Sequence, residues 1–243
     1  MNVILACDTT QAACSVALAY KGGIISRLQS MTKGHAEALM PLLEEVLDEA
    51  QIKASPTKRS EIDYLLVTNG PGSFTGVRVG LSAMAGLALA WDKPLVPYGT
   101  LAAMMLNRTF SNETDRPMIV AVDARRDTFY TQFFHQTGTA LTPPQALSAT
   151  QLLKTAQHYQ STLDIDKFYI MGTGKAAFAA CDFLVASHSV DYPQAEIVVR
   201  HALAWQPSVW QAIIESAPAP VAPLYLRPPD ATLPDKSKYP RLA

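Results

Sequence analysis

The sequence predicts an α/β fold of two lobes with the same topology, each a mixed sheet with flanking helices. Strand-like and helix-like stretches alternate along the first third of the chain. An apolar strand that ends in aspartate occurs twice, as ILACD from Ile4 and as IVAVD from Ile119. Each copy precedes a second strand-like run and, later, an apolar strand that leads into glycines. This shared order favours an internal duplication over the alternative, a chance repeat of one pentapeptide.

The elements of the first lobe follow from the spacing of apolar residues. Short runs rich in β-branched residues predict strands, and Lys21-Gly22-Gly23 is typical of a hairpin turn between two of them. Apolar residues recur at helical spacing after His35, and Pro41 is expected to kink or delay that helix. Hairpins give antiparallel strands and crossovers give parallel ones, so the sheet is mixed. The predicted strands are 3–7, 15–20, 24–28, 64–68 and 95–97, and the predicted helices are 35–50 and 77–91.

Two lobes, a helix and an arm divide the chain. The first lobe is expected at 1–106 and the second at 107–202. Residues 203–216 predict a helix that is a candidate to complete the first lobe. A proline-rich arm is expected at 217–243, because its proline content excludes a helix or a central strand.

Composition and charge exclude several classes of protein. The 243 residues are 49% hydrophobic with a formal net charge of −1, so no basic face for nucleic acid is expected. Three cysteines are too few for a disulfide scaffold. The N-terminus lacks a signal-peptide pattern and the longest apolar run, 79–91, is too short to span a bilayer, so we expect a cytoplasmic protein without a membrane segment. Two basic clusters are interpreted as solvated loop charges: Lys53, Lys58 and Arg59, and Lys236, Lys238 and Arg241.

A glycine-rich loop follows a predicted buried strand and opens a helix. Its sequence is GPGSFTG, from Gly70 through Gly72 and Ser73 to Gly76. Backbone N–H groups and the helix dipole at such a helix start favour an anion. The spacing is neither the dinucleotide fingerprint nor a phosphate-binding loop that ends in Gly-Lys-Ser/Thr. The alternative is a tight turn in which Ser73 or Thr75 caps the helix, and the spacing alone favours the turn.

Asp8 and Asp123 end the two equivalent predicted strands. In actin-like ATPases and sugar kinases, an aspartate there holds a metal ion or water beside the phosphates. A glycine in the following turn lets the phosphates approach the backbone, but Thr9 and Ala124 stand there in this chain. We therefore predict a degraded nucleotide site. The alternative for both aspartates is a turn held by side-chain to backbone hydrogen bonds.

Neither a metal site nor a catalytic nucleophile is expected. The closest two of the five histidines are thirteen residues apart, so no pair shares a helical face at ligand spacing. The sequence holds no Gly-x-Ser-x-Gly motif and no spacing that suggests a Cys–His pair.

The two predicted helices are more apolar than one packing face requires. Only Arg78 and Ser82 are polar in 77–91, and small residues there allow another helix to approach closely. One explanation is a surface for a partner protein, and the equally weighted alternative is that the two helices cover each other. The candidate interface residues are His35, Leu39, Leu42, Leu43, Val46, Val77, Arg78, Leu81, Met84 and Ala85.

Several of these stretches resemble one family. They are ILACDTT at 4–10, His35-Ala36-Glu37 and, above all, TNGPGSFTGVRVG at 68–80, together with PLYLR at 223–227. They are similar to the TsaB (YeaZ) family of tRNA threonylcarbamoyladenosine biosynthesis, over roughly the first 100 residues. The resemblance implies a duplicated actin-like, Hsp70-like fold, in agreement with the two predicted lobes.

The resemblance also implies a function. It suggests a non-catalytic activator subunit of the tRNA N6-threonylcarbamoyladenosine transferase complex, docking on the catalytic TsaD subunit through first-lobe helices. TsaE, a small ATPase, is a further expected partner, homodimers are expected when the chain is alone, and tRNA is contacted only through the complex. The catalytic relative carries a His-x-x-x-His metal motif, whereas residues 97–103 here contain no histidine.

The resemblance leaves the nucleotide question open. The second-lobe glycine turn is Gly172-Thr173-Gly174-Lys175, whereas the family favours Gly-Asp/Asn-Gly-Ala. No cofactor is expected in the isolated chain, and ADP or ATP at a joint between partners is left open. The alternative function is an active actin-like ATPase or small-molecule kinase. A protease is not expected, since the chain supplies neither a nucleophile nor a metal site. The residues assigned to degraded nucleotide or anion loops are Asp8, Thr9, Gly70, Gly72, Ser73, Gly76, Gly172 and Gly174.

Overall fold

Two five-stranded sheets organise the chain in the computed structural model, which describes residues 2–52, 61–109, 111–217 and 220–227. The first sheet has the order β3-β2-β1-β4-β5. Its strands are β1 (Ile4–Gln11), β2 (Ala13–Tyr20), β3 (Gly23–Ser30), β4 (Tyr64–Thr68) and β5 (Leu95–Tyr98). The predicted hairpin is confirmed, because β2 and β3 pair antiparallel with Tyr20 opposite Gly23.

Strand β1 occupies the centre of the first sheet. It pairs antiparallel with β2 and parallel with β4, where Ile4 lies opposite Tyr64. The β1–β2 register shifts between Asp8 and Gln11, so the end of β1 bulges out of the regular ladder. This bulge carries the residues that contact the glycine-rich loop.

The second sheet repeats the topology of the first. Its order is β10-β9-β6-β7-β8, so central β6 is antiparallel to β7 and parallel to β9, as β1 is to β2 and β4. The ILACD and IVAVD segments lie in the two central strands, which confirms the duplicated fold. The strands are β6 (Met118–Asp123), β7 (Phe129–Phe134), β8 (Gln145–Leu147), β9 (Phe168–Met171) and β10 (Leu184–Ala186).

Six α-helices are found among the described residues, and four of them cover the two faces of the first sheet. The six helices are α1 (His35–Glu49), α2 (Phe74–Trp91), α3 (Thr100–Met105), α4 (Ala149–Leu163), α5 (Ala195–Leu203) and α6 (Pro207–Ser216). One face packs against α1 and α2 around Leu5, Val16, Leu65 and Val67. The opposite face packs against α5 and α6, with Trp210 in the core. Helix α1 continues through Pro41.

The predicted helix at 203–216 is one helix that begins at Pro207, and the helix before it, which ends at Leu203, was not predicted. Helix α5 ends at Leu203, and α6 begins with Pro207 in its first turn, where proline costs no intrahelical hydrogen bond. Both helices pack on the first sheet, although the predicted boundary had placed most of α5 in the second lobe. The chain therefore leaves the first lobe, builds the second and returns.

Hydrogen bonds tie together the two chain segments that connect the lobes. The buried carboxylate of Glu113, before β6, accepts from the backbone N–H of His188 at 2.9 Å and from the hydroxyls of Ser187 and Ser189, after β10. The Asn107 amide donates to backbone oxygens of residues 190 and 192. Side-chain hydrogen bonds thus link the outgoing and the returning segments to each other.

Some sequence predictions fall outside the described residues. They are most of the polar linker, both basic clusters and the arm beyond Arg227. Helix α2 begins earlier than predicted and, with 18 residues, is long and apolar enough to meet the length and composition criteria for a membrane span. A helix packed on a soluble core can meet the same criteria, and one side of α2 lies in the core described above.

Candidate functional site

The glycine-rich loop closes onto the bulged end of β1. The Ser73 side chain caps α2 by accepting a hydrogen bond from the Gly76 N–H at 3.3 Å. The Ser73 N–H donates to the Thr10 carbonyl at 2.8 Å, and the Thr9 hydroxyl donates to the Gly76 carbonyl at 2.6 Å. The chain's own backbone therefore occupies part of the space in front of this helix start.

Two glycines of the loop are required by this contact. A Cβ atom at Gly76 would lie 2.0 Å from the Thr9 carbonyl oxygen, and one at Gly72 would lie 2.4 Å from the Thr10 carbonyl oxygen. Both distances are far below van der Waals contact. The glycines thus permit close packing of α2 on β1, which is a structural reason for the motif that involves no ligand.

Asp8 is sealed beneath the same contact. Its Oδ1 accepts hydrogen bonds from the Thr10 hydroxyl at 2.6 Å, from the Thr10 N–H and from the Thr68 hydroxyl, and the side chain is fully buried. Its Oδ2 has no hydrogen-bond partner. Burial raises the pKa of Asp8 to about 6, although the hydrogen bonds from Thr10 and Thr68 and the charge of His35 oppose this rise.

The second-lobe counterpart, Asp123, is an exposed turn residue. Its Oδ1 accepts from the Arg125 N–H at 2.7 Å, and its N–H donates to the Thr173 hydroxyl. Gly172 and Gly174 pack against the backbone of Ala121, where a Cβ at Gly172 would lie 2.3 Å from the carbonyl oxygen. The second-lobe glycine turn therefore also serves close packing on the central strand.

A cleft separates the glycine-rich loop and the end of β1 in the first lobe from the Asp123 turn in the second lobe. It has a volume of about 500 Å³, with Gln11 and His35 from the first lobe and Asp123 and Arg125 from the second along its walls. A ring nitrogen of His35 lies 2.9 Å from the Gln11 carbonyl oxygen, which fixes the imidazole beside β1. Asp8 does not line this cleft, so the only wall carboxylate among the described residues is the exposed Asp123.

The structure corrects the choice of interface residues. Of the ten candidates, only Arg78 and Ala85 are exposed. The apolar positions at helical spacing face the first sheet, because the sheet needs that cover. The buried candidates are His35, Leu39, Leu42, Leu43, Val46, Val77, Leu81 and Met84.

A different face of α2 remains uncovered. Leu89 is 87% exposed, and Ser82, Ala85 and Gly86 are exposed along the same helix. A Cβ atom at Gly86 would have no neighbour within 4 Å. This small, apolar surface was not separated from the buried face by sequence reasoning, because α2 is apolar on both faces.

Residues 220–227 form an arm across the start of α2, which was missed as part of the site. The Tyr225 ring stacks on Phe74 with centroids 5.7 Å apart, and its hydroxyl accepts from Arg78 at 2.9 Å. The Leu224 N–H donates to the Asn69 carbonyl at 2.7 Å. The PLYLR motif is the sequence feature that could have located this contact.

The described residues contain no group of three His, Cys, Asp or Glu side chains that could hold a metal ion.

Two lobes of one topology, whose glycine loop and aspartate turn face a shared cleft, define a protein of the duplicated actin-like class. The family model described as TsaD, tRNA N6-adenosine threonylcarbamoyltransferase, matches residues 10–218. The chain belongs to this family, within which its similarities place it with the TsaB (YeaZ) proteins.

Individual relatives agree with this assignment. The tRNA threonylcarbamoyladenosine biosynthesis protein TsaB of Haemophilus influenzae is 35% identical over 127 residues, which are 52% of this chain and 51% of that protein. TsaB of Escherichia coli is 35% identical over 127 residues, 52% of each chain. The chain thus spans about half the length of the curated relatives it matches.

A solved structure extends the likeness to both lobes. It is described as an uncharacterized protein with similarity to peptidase YEAZ from Pseudomonas aeruginosa. Its TM-score is 0.70 at 27% identity, and the match covers 93% of this chain and 100% of that one.

Proposed function

We propose that this chain is a non-catalytic partner subunit in the synthesis of tRNA N6-threonylcarbamoyladenosine and that it activates the catalytic TsaD subunit by docking. The observation that carries the proposal is the combination of a closed glycine loop with an uncovered apolar helix. Thr9 and Thr10 fill the loop, while Leu89 and Gly86 lie open on α2.

The closed glycine loop argues against phosphate chemistry at this position. An actin-like ATPase needs backbone access for phosphates and a carboxylate that can reach a metal ion. Here the Thr9–Gly76 contact blocks the approach, and Asp8 is buried with its protonation favoured by burial. The chain's relatives include threonylcarbamoyltransferases, so loss of a site within a shared fold is a consistent explanation.

The second half favours association with another protein. An exposed face of small and apolar residues on a helix loses unfavourable contact with water when a partner helix packs on it. The TsaD subunit is the partner that the family suggests, with TsaE and tRNA joining through the complex and homodimers forming when the chain is alone.

The direct test is reconstitution. The chain alone is expected to modify no tRNA, whereas mixing it with the catalytic subunit should restore threonylcarbamoylation in vitro. A catalytic subunit that works equally well without this chain would refute the proposal.

A variant locates the docking surface. Gly86→Arg adds a large side chain where a Cβ meets nothing, and it removes a helix-weakening glycine, so the fold should gain up to about 1 kcal/mol. Binding to the catalytic subunit, measured by calorimetry, should fall at least about tenfold. The control is Ala212→Arg on α6, which adds the same group at an exposed helix position of the opposite sheet face. Equal binding by both variants would contradict docking through α2.

An active ATPase or small-molecule kinase is the second candidate, and the interlobe cleft of about 500 Å³ favours it. Magnesium-dependent ATP hydrolysis by the chain alone would support it, provided that Asp8→Ala abolishes that hydrolysis. Calorimetry that detects no binding of ATP to the chain would exclude this alternative. Nucleotide binding that appears only in the mixture with the catalytic subunit would assign ADP or ATP to the joint between partners.

A further inference from the structure

The arm at 220–227 is fixed to the first lobe by its backbone. The Leu224 N–H donates to the Asn69 carbonyl at 2.7 Å, and the Asn69 side-chain amide donates to the Ala222 carbonyl at 3.2 Å. A Cβ atom at Gly70 would lie 2.9 Å from the Leu224 carbonyl oxygen, so the arm lies directly on the glycine-rich loop. Later residues of that loop line the interlobe cleft, and the arm therefore runs along the first-lobe wall.

The last residue of the arm reaches the second lobe. The Arg227 guanidinium donates a hydrogen bond to the Ala124 carbonyl at 3.1 Å. Ala124 follows Asp123 at the end of β6 and lines the cleft from the second-lobe side. Arg227 is only partly exposed, so water screens this bond less than it screens a contact on the open surface. The arm thus connects the two walls of the cleft.

Helix α3 joins the lobes at a different place. Its Leu101 packs in one core with Met118 of the second sheet. Its first residue, Thr100, is held by the first lobe, because the Thr100 N–H donates to the Gly70 carbonyl at 2.9 Å. Rotation of one lobe about this connection changes the width of the cleft, whereas an arm that is bonded to both walls restrains that rotation.

We propose that the arm is a strap that holds the two lobes together across the cleft, with Arg227 as its fastening on the second lobe. Hinged proteins close around ligands that contact both lobes at once. Here a segment of the chain itself makes both contacts, and it holds the closed arrangement in the way that a ligand does elsewhere. Arg227 is a positioning residue, since it acts on the cleft through the Ala124 turn.

The strap goes beyond the proposed function and does not depend on it, because it concerns the two lobes of this chain alone. A hydrogen bond from a charged donor shifts a two-state equilibrium by roughly tenfold or more, so loss of the Arg227 donors should populate an open form. A rotation of about 15° over a lobe radius of about 13 Å moves one wall of the cleft by roughly 3 Å.

Arg227→Met tests the strap in the full chain, because methionine keeps an apolar stem and removes the donors. Spin labels are attached to cysteines at Lys33 and Ala176, which are exposed on the first and second lobes, in a Cys181→Ser background whose remaining cysteines are buried. Pulsed electron paramagnetic resonance, with unlabelled chain in excess, should show the mean distance between the labels lengthen by roughly 3 Å. Amide exchange at Leu224 should stay slow, since its bond to the first lobe is kept.

Arg200→Met on α5 is the matched control, since it removes an exposed guanidinium that is bonded to Glu196 of the same helix and should leave the distance unchanged. Tyr225→Ala loosens the arm at its first-lobe end and should also lengthen the distance, so it decides the question if Arg227→Met does not fold. A distance that is unchanged in Arg227→Met, or in Tyr225→Ala where that variant replaces it, overturns the strap. Equal lengthening in Arg200→Met does so as well.

Discussion

Burial of the Asp8 carboxylate makes its contribution to the stability of this fold depend on pH. Burial raises its pKa to about 6, while an unfolded aspartate titrates near its ordinary value of 3.8. The folded state therefore holds the proton of Asp8 more tightly, and the contribution of Asp8 to stability is greatest below the unfolded pKa. It declines as pH rises from about 4 to about 6 and is then constant, with a total loss of about 3 kcal/mol.

Asp8→Asn should remove this decline because asparagine stays uncharged. Urea unfolding followed from about pH 4 to pH 7 should show the variant gaining relative to the wild-type chain as pH rises. Asp182→Asn, at an exposed position, is the control and should show no such trend. A constant difference between Asp8→Asn and the wild type would mean that the carboxylate is not destabilised by burial.

The two glycines Gly76 and Gly86 on α2 should respond oppositely to alanine. Gly76→Ala places a methyl group against the Thr9 carbonyl, where the backbone of β1 must shift, so we expect a loss of about 1–3 kcal/mol. Gly86→Ala meets no neighbour and should gain up to about 1 kcal/mol of helix propensity. Chemical denaturation of both variants checks the sign. A stabilised Gly76→Ala would show that the loop is not closed on Thr9.

The sequence showed the glycine motif, but it did not show that the motif permits close packing of α2 on β1. The Thr9 hydroxyl and the Gly76 carbonyl are 67 positions apart, so local spacing could not show that they meet. Turn hydrogen bonds at Asp8 and Asp123 follow from the short-range chemistry of aspartate, and the sequence did offer them as an alternative.

At the scale of elements, the arm at 220–227 holds the start of α2 through one aromatic side chain. Tyr225→Ala removes the stack on Phe74 and the contact with Arg78, and should cost about 1 kcal/mol. Amide exchange at Leu224, whose N–H is bonded to Asn69, should accelerate.

Tyr225→Phe is the matched variant, since it keeps the ring and loses only the hydroxyl. It should retain most of the protection at Leu224. Equal exchange in the wild type and in Tyr225→Ala would show that the arm is held by its backbone alone.

Element positions were predicted well where apolar periodicity was strong. The strands of the first sheet and helix α1 lie within a few residues of their predicted bounds, because one face of each must be buried. Which face of α2 points outward was not predictable, since the helix is apolar all round and only the sheet decides. The break between α5 and α6 could have been found from Pro207, which favours a helix start.

At the scale of the molecule, Glu113 joins the two connections between the lobes. Burial alone would raise the pKa of its carboxyl, but hydrogen bonds from Ser187, the His188 backbone, Ser111 and Ser189 bring it below its usual value. Such a group contributes stability above its unfolded pKa and loses it as pH falls through the folded pKa, the opposite sign to Asp8.

Glu113→Gln should therefore destabilise the chain by about 2 kcal/mol at neutral pH, because an amide leaves buried donors without an acceptor. The difference from the wild type should shrink below about pH 4, where the glutamate itself is protonated. Urea denaturation at both pH values measures it, with the exposed Glu215→Gln as control. A difference that does not change with pH would exclude the charged carboxylate as the source.

The lobe to which α5 belongs could not be inferred from the order of elements. Nothing local distinguishes a helix that covers its own sheet from one that covers the previous sheet. Ala195 and Val198 bury against Ile4 and Ala6, nearly two hundred residues earlier.

The return of the chain to the first sheet at α5 and α6 has a consequence for biosynthesis. The first sheet is complete once β5 has been translated, yet the cover for one of its faces, including Trp210, arrives more than a hundred codons later. At ordinary translation speeds this delay is on the order of ten seconds. During that time a bare apolar surface is presented to the cell, so the nascent chain should be a client of ribosome-associated chaperones until the second lobe and α5 have left the exit tunnel.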